Sequence, residues 1–148
     1  MSPLKLNKIL VPTDFSGHSE KAFRYACECA TVFDADIFLL HVFDTRVVDN
    51  VYHIHQLTPD AARKEMRASA EQSVKRFSAL DEAKGVRITP LYEEGIPQIE
   101  VKRVAVEIAA DLIVMGTHGT TGLTQLLYGT TAEGVVRGAP CPVLTINP

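Results

Sequence analysis

The stretch that says most about the fold is Asp36-Ile-Phe-Leu-Leu-His-Val42. It is an apolar run of strand length in which no polar residue follows Asp36 before His41. A strand that is covered by helices on both faces has this pattern, whereas a strand with one face in water alternates polar and apolar residues. The stretch therefore predicts a strand inside a parallel sheet.

Four further segments have the length and apolar content of strands. Pro90 interrupts one of them and removes a backbone donor, so this strand is expected at an edge of the sheet. The four segments are Asn7–Pro12, Val86–Tyr92, Asp111–Met115 and Pro142–Ile146.

Helices are predicted between the strands from apolar residues spaced three and four apart. They run from a cap at Ser16 or Ser19 to Phe33, from a cap at Thr58 to Lys84-Gly85, from Gly95-Ile-Pro97 to Ile108, and from Thr130 to Arg137. The residues expected to face the core are Ala22, Tyr25, Ala26, Cys29 and Phe33, then Ala62, Met66, Ala70, Val74, Phe77 and Leu80, and finally Val101, Val104, Ala105 and Ile108. Residues 43–57 show no clear period and are interpreted as a loop.

The order of elements is βαβαβαβαβ. Alternation of this kind predicts an α/β fold in which a doubly wound, five-stranded, mostly parallel sheet carries helices on both faces. No linker, low-complexity tract or repeat divides the chain, so residues 1–148 are expected to form one domain.

The composition and charge of the chain exclude several classes of protein. The chain has 148 residues and a formal net charge of −3, without the basic face of a general nucleic-acid binder. Its N-terminal apolar run breaks at Pro12, far short of a signal peptide or a membrane span. Three cysteines are too few and too scattered for a disulfide framework. A cytoplasmic protein that binds neither membranes nor nucleic acid is expected.

In open parallel sheets, ligands bind where the strands end and the strand order reverses. The segments that follow the predicted strands are Pro12-Thr-Asp14, His41-Val42, Glu93-Glu94, Gly116-Thr-His-Gly119 and, opening the last helix, Gly129-Thr-Thr131.

The last two of these segments belong to a cluster of glycines, because six of the nine glycines lie within residues 116–138. Glycine permits positive φ and close approach to a ligand, and a helix N-terminus offers free N–H groups, so both features suit phosphate. Thr130-Thr-Ala-Glu133 also fits a capping box, so the alternative is that Thr130 only caps the helix.

Familiar phosphate-binding signatures do not match. No Lys or Arg occurs between Met115 and Arg137, which excludes a Walker loop, and the glycines follow the fourth strand rather than the first. If phosphates bind, backbone N–H groups, the hydroxyls of Thr130 and Thr131 and a divalent ion must neutralise them.

The pattern Gly116-x2-Gly119-x9-Gly129-Thr130 reproduces the G-2x-G-9x-G-(S/T) motif of the ATP-binding branch of the universal stress protein family. Ile9-Leu-Val-Pro-Thr-Asp14, Leu40-His-Val42 and Ala139-Pro-Cys-Pro-Val143 resemble further landmarks of that family, so the resemblance covers essentially the whole chain. Family members commonly carry Lys and His where Gly134 and Gly138 stand here, and often a basic residue at the position of Thr120.

The resemblance implies a Rossmann-like fold of the adenine nucleotide alpha hydrolase type, a homodimer through the last strand, and a role in stress survival. It implies bound ATP and slow ATP hydrolysis. From the residues themselves we expect Mg²⁺ beside the phosphates, no protein metal site and no catalytic residues, because no nucleophile, base or arginine finger is evident. The nucleotide-binding residues that the resemblance implies are Pro12, Thr13, Asp14, Val42, Met115, Gly116, His118, Gly119, Gly129, Thr130 and Thr131.

Two function classes stay open. One is an ATP-binding regulatory protein whose nucleotide orders the 116–130 segment and changes a surface that an unknown partner reads. The other is a dimeric interaction protein of the same fold that binds no nucleotide. A receiver domain is excluded because the phosphoacceptor Asp and the Lys that it needs are missing from the corresponding strand ends.

Other candidate sites are weaker. His53-Ile-His55 would place two imidazoles on one face of an extended segment, but two ligands without a third favour a solvated loop. Glu93-Glu94 is interpreted as a solvated strand end rather than an acidic metal pocket. His118 is expected to donate a hydrogen bond rather than to act as a base.

Overall fold

A computed structural model describes residues 4–117 and 130–148, except for the side chains of Val51, His55 and Thr130. Within these ranges the chain forms one five-stranded sheet in the spatial order β3-β2-β1-β4-β5, and every pairing is parallel. The strands are β1 Lys8–Pro12, β2 Asp36–Asp44, β3 Ile88–Gly95, β4 Leu112–Gly116 and β5 Val143–Ile146.

Helices cover both faces of the sheet. They are α1 Gly17–Phe33, α2 Thr45–His55, α3 Pro59–Ser78, α4 Pro97–Glu107 and α5 Thr130–Gly138. One face packs on α1 and α3 around Phe23 and Phe77, which are fully buried. The other face packs on α4 and α5 through smaller aliphatic residues such as Val104 and Val135. In the described ranges no helix is long and apolar enough to cross a bilayer.

The order of the strands creates one switch point. From β1 the chain moves outward through β2 to β3, then returns to the other side of β1 to add β4 and β5. The connections that leave β1 and β4 therefore run to opposite sides, which opens a crevice between the carboxyl ends of these two strands. The doubly wound, parallel fold is as the sequence predicts.

Several local predictions are confirmed. Ser16 is the N-cap of α1, and its Oγ accepts a hydrogen bond of 3.2 Å from the Ser19 N–H. Thr58 caps α3 and accepts from the Ala61 N–H at 3.1 Å, with Pro59 in the first turn. The strand that contains Pro90 is an edge strand.

The predicted buried stripe of α1 is partly wrong. Tyr25 is 47% exposed and Phe33 is 38% exposed, whereas Phe23 and Cys27 are fully buried. The predicted and the observed stripes both contain Ala22 and Ala26. The helical period does not decide whether the apolar residues on one side of these two alanines or those on the other side face the sheet. Burial raises the pKa of the Cys27 thiol to about 12, so this group stays protonated and serves as core.

The prediction of a loop over residues 43–57 is also wrong, because α2 occupies Thr45–His55. Asp44 caps it by accepting a 3.0 Å hydrogen bond from the Arg46 N–H. Val48 is the one buried residue among those described in this helix, although Val47, Val51 and Ile54 recur at helical spacing in the sequence.

The second predicted helix is too long at its C-terminus. α3 ends at Ser78, and Lys84-Gly85 instead closes a separate 3₁₀ turn over Asp81–Ala83, with Gly85 at φ 78°.

Two glycines of the cluster serve helix packing. A Cβ on Gly134 would overlap the side-chain carboxamide of Gln98 on α4, and a Cβ on Gly138 would lie 2.9 Å from Lys102 Cδ. Glycine inside a helix costs about 1 kcal/mol relative to alanine. Here the missing side chains give α5 room beside α4.

Candidate functional site

Two strand ends line the crevice at the switch point. β1 and β4 pair in the register Leu10 with Ile113, and β1 continues into Thr13 and Asp14 while β4 ends at Gly116. The turn that follows β1 is the part of this site that the structure describes most fully.

Thr13 is held on three sides. Its N–H donates to the Leu40 carbonyl at 2.8 Å, and its Oγ1 accepts from the Phe15 N–H at 2.9 Å. Its carbonyl oxygen lies 2.8 Å from His41 Nδ1. With 8% of its surface exposed, Thr13 is a structural member of the turn as well as a predicted site residue.

His41 connects this turn to the interior. Its ring lies between the rings of Phe15 and Phe43, at centroid distances of 4.9 and 4.8 Å. Burial lowers the pKa of His41 below its ordinary value, while the hydrogen bond to Thr13 and the negative charge of Asp14 act in the opposite direction. Because a carbonyl oxygen only accepts, the proton of the neutral ring is assigned to Nδ1.

Asp14 joins the turn to the start of α1. Its Oδ1 accepts from the Ser16 N–H at 3.0 Å and from the Ser19 hydroxyl, and its own N–H donates to Ser19 Oγ at 3.3 Å. Ser19 is 6% exposed, whereas Asp14 and Ser16 are half-buried, so the network is only partly shielded from water. The carboxylate therefore already fixes the loop from which it would meet a ligand.

Phe15 completes the turn in an unusual conformation. It has φ 62°, in the left-handed region that a bulky residue rarely adopts. Its carbonyl oxygen accepts a 3.1 Å hydrogen bond from Arg76 Nη2 of α3. Sequence reasoning gave no role to Phe15 or Arg76, and it named His41 only as part of the segment expected to follow β2. His41 had a signal, as the polar residue that interrupts the apolar β2 run, whereas nothing in the sequence marks Arg76.

Gly116 has a packing role that the sequence did not predict. It lies in extended strand rather than at positive φ, and a Cβ there would be 3.2 Å from the backbone carbonyl oxygen of His18. The glycine lets β4 approach the first turn of α1, and its close approach to a ligand stays a prediction.

The remaining predicted residues divide into three groups. Pro12 ends β1 half-buried, and Thr131 lies half-buried in the first turn of α5. Val42 and Met115, at 9% and 4% exposure, pack in the same core cluster as Ala132 of α5. His118, Gly119 and Gly129 lie outside the described residues, and Thr130 is described only as the first residue of α5.

The weaker candidates are not gathered at the crevice. Glu93 pairs with Arg103 of α4 at 3.1 Å and Glu94 pairs with Arg63 of α3 at 3.1 Å, so the two carboxylates face opposite sides of the sheet. Both carboxylates are partly exposed at the end of β3, as predicted, and each is also ion-paired. His53 lies in α2 and not in an extended segment, so the extended geometry on which the two-imidazole site depended is not formed.

In chemical terms, the described part of the crevice offers hydrogen bonding rather than metal ligation. Residues 4–117 and 130–148 contain no group of three or more His, Cys, Asp or Glu side chains placed to hold a metal ion.

Comparison with known proteins supplies the family. A model of the universal stress protein family matches residues 5–147. Universal stress protein MJ0531 of Methanocaldococcus jannaschii is 35% identical over 140 residues, which cover 95% of this chain and 81% of that protein. Among solved structures, hypothetical protein MJ0577, from the same organism, matches with a TM-score of 0.83 and 28% identity over 98% of both chains.

A universal stress protein from Archaeoglobus fulgidus, solved in complex with dAMP, shares the fold. Its TM-score is 0.67 at 20% identity, covering 97% of this chain and 99% of that one. The family model and the identity to MJ0531 together establish that the chain belongs to the universal stress protein family.

Proposed function

We propose that the protein binds ATP in the crevice between β1 and β4 and acts as a nucleotide-dependent regulator in stress survival. The observation that carries the proposal is the meeting of the Thr13-Asp14 turn and the end of β4 at the topological switch point, the usual place for a ligand in such a sheet. The dAMP complex of the related fold from A. fulgidus supports an adenine nucleotide as the ligand class.

Each half of the crevice would have a separate task. The Asp14 carboxylate would accept hydrogen bonds from ribose hydroxyls, next to apolar contacts from Pro12 and Val42. The N–H groups of Gly116, Gly119 and Gly129, with Thr130 and Thr131 at the start of α5, would take the phosphates through backbone donors and hydroxyls. His118 would add a hydrogen-bond donor.

Mg²⁺ fits this arrangement only as a partner of the nucleotide. The ion prefers oxygen ligands and keeps several waters, so phosphate oxygens and a threonine hydroxyl satisfy it without a cage of carboxylates. It would supply charge neutralisation in a segment without Lys or Arg. We expect at most slow hydrolysis, because neither a positioned base nor an arginine finger is evident in the sequence.

A second candidate function is a dimeric interaction protein that binds no nucleotide. The observation that favours it is the position of β5. Among the described residues it pairs with β4 alone, and it forms a sheet edge with Leu144 38% exposed. An edge strand of this kind pairs readily with a second copy. Light scattering at micromolar concentration tests the dimer, and a monomeric mass would contradict it.

Equilibrium dialysis with ATP and Mg²⁺ at neutral pH tests the first proposal. We expect about one ATP per chain, and we expect Asp14→Asn to weaken binding about tenfold, because it removes the charge but keeps an acceptor for the Ser16 N–H. Ser16→Ala is the matched control, since it removes the α1 cap and leaves the Asp14 carboxylate.

Two results would contradict the proposal: absence of ATP binding by the unchanged protein, or equal weakening by the two variants. Mass spectrometry of small molecules released from freshly purified protein distinguishes ATP, AMP and an empty site.

A further inference from the structure

A cavity of about 400 Å³ lies away from the crevice, at the edge of the sheet where β2 and β3 end. Side chains of α2 and α3 cover it, on the face of the sheet opposite Val42. Its volume falls within the range of small-molecule sites, which run from roughly 300 to 1,000 Å³.

The inner wall of this edge cavity is apolar and flat. The rings of Phe43 and Tyr92 stack with 6.2 Å between centroids and 17° between planes. Val48 of α2, which is 4% exposed, and Met66 of α3 complete the wall. The Arg67 guanidinium lies over the Tyr92 ring, so a planar apolar group would gain its contacts from Phe43, Val48 and Met66.

The mouth of the edge cavity carries positively charged side chains, some of whose N–H groups form no hydrogen bond with the described residues. The Arg67 guanidinium lies 3.8 Å from the centre of the Tyr92 ring, and its Nε donates to Glu71 at 2.9 Å. Within the described ranges neither Nη of Arg67 forms a hydrogen bond, and the neighbouring Lys64 forms no ion pair. A guanidinium with two free Nη groups matches a carboxylate in two-point geometry.

The acidic side chains around the edge cavity are already paired. Glu94 accepts from Arg63 Nε at 3.1 Å, and Glu93 pairs with Arg103 at 3.1 Å. Glu71 pairs with Arg67 at 2.9 Å, so the positive groups left at the mouth for an anion are Lys64 and the two unused Nη groups of Arg67. Burial raises the pKa of Tyr92, so its hydroxyl remains protonated at neutral pH and can donate.

We propose that the edge cavity is a second binding site, for a small planar aromatic carboxylate. Its ring packs against Phe43, Val48 and Met66, and its carboxylate meets Arg67 and Lys64. The proposal does not rest on nucleotide binding, because none of these residues belongs to the crevice.

Amide chemical shifts of the full ¹⁵N-labelled chain, titrated with benzoate to about 20 mM at constant ionic strength, test this proposal. We expect saturable shifts in residues 63–67 and 91–94 with a millimolar dissociation constant. Benzamide, which lacks the charge, and acetate, which lacks the ring, should each bind at least about tenfold more weakly.

Arg67→Gln should weaken benzoate binding about tenfold. Arg87→Gln is the matched control, since Arg87 is an exposed, ion-paired arginine whose partners Asp34 and Asp36 lie at the opposite end of the strands. The proposal is overturned if benzoate causes no shifts, if its shifts are confined to residues 12–14 and 116–117, if benzamide or acetate binds equally well, or if Arg67→Gln has no effect.

Discussion

The crevice and the edge cavity differ in how their polar groups are used. In the crevice, Thr13, Asp14 and Ser19 form hydrogen bonds with one another and with the neighbouring backbone. At the edge cavity, Arg67 and Lys64 keep donors that no described residue accepts. A ligand in the crevice meets a surface that the fold has already arranged, whereas a ligand in the edge cavity meets side chains that the fold does not need.

The comparison teaches that a substitution in the crevice changes both the stability of the fold and the binding of a ligand, whereas one at the edge cavity changes binding alone. Substitutions in the crevice change the fold first, so loss of binding there needs a stability control. Substitutions at the mouth of the edge cavity leave the fold intact, so loss of binding there is direct evidence.

The largest effect is expected at Gly116. Gly116→Val places a branched side chain against the His18 carbonyl, which is backbone and cannot turn away. We expect the free energy of unfolding in urea, without nucleotide, to fall by about 2 kcal/mol. Gly17→Ala is the control, because a Cβ there meets nothing within 4 Å. Equal stability of Gly116→Val and the unchanged protein would show that the glycine serves a ligand alone.

The next effect is expected at the cap of α1. Ser16→Ala removes the oxygen that accepts from the Ser19 N–H, and caps of this kind contribute about 1 kcal/mol. Urea unfolding measures the loss, with Ser78→Ala at the exposed end of α3 as a control. If the two variants are equally stable, the turn is less tightly built than its hydrogen bonds indicate.

A smaller effect is expected from pH through His41. Its folded pKa lies below the unfolded value of about 6.5, so above that pH the ring is neutral in both states. As the pH falls below 6.5, the unfolded chain takes up a proton that the folded chain refuses, and the free energy of unfolding decreases until the folded pKa is reached.

Unfolding in urea at about pH 7.5 and about pH 5.5 measures this loss. His41→Gln keeps a donor for the Thr13 carbonyl but does not titrate, so the variant should lose less stability on acidification. An identical loss in the two proteins would place the titrating group elsewhere.

The smallest effect is expected at the edge cavity. Arg67→Gln breaks an exposed ion pair with Glu71, and such pairs contribute under about 0.5 kcal/mol in helices. Its midpoint in urea should match that of Arg87→Gln. If Arg67→Gln lowered the free energy of unfolding as much as Ser16→Ala does, the side chains of the edge cavity would matter to the fold as much as those of the crevice.

The sequence predicted what short stretches encode. The apolar run of β2 identified the buried sheet, Pro90 identified the edge strand and Ser16 the cap, because each signal lies within a few residues. α2 escaped prediction although Val47, Val51 and Ile54 recur at helical spacing, because this apolar line is short and is interrupted by charged and polar residues.

The crevice could be predicted from the sequence in part, whereas the edge cavity could not. Glycines and hydroxyls near one another in sequence pointed to the crevice, but contacts between distant segments were invisible, such as Gly116 against His18. The edge cavity draws its lining from four elements between Phe43 and Glu94, so no single motif marks it.

The contact between Phe15 and Arg76 also bears on the order in which the molecule assembles. A left-handed phenylalanine costs about 1 kcal/mol or more, so residues 12–16 do not favour their final shape by themselves. The hydrogen bond that holds it comes from 61 residues further along the chain. A chain emerging from the ribosome therefore lacks this support until α3 has been synthesised and has docked, and β4, which forms the other side of the crevice, is synthesised later still.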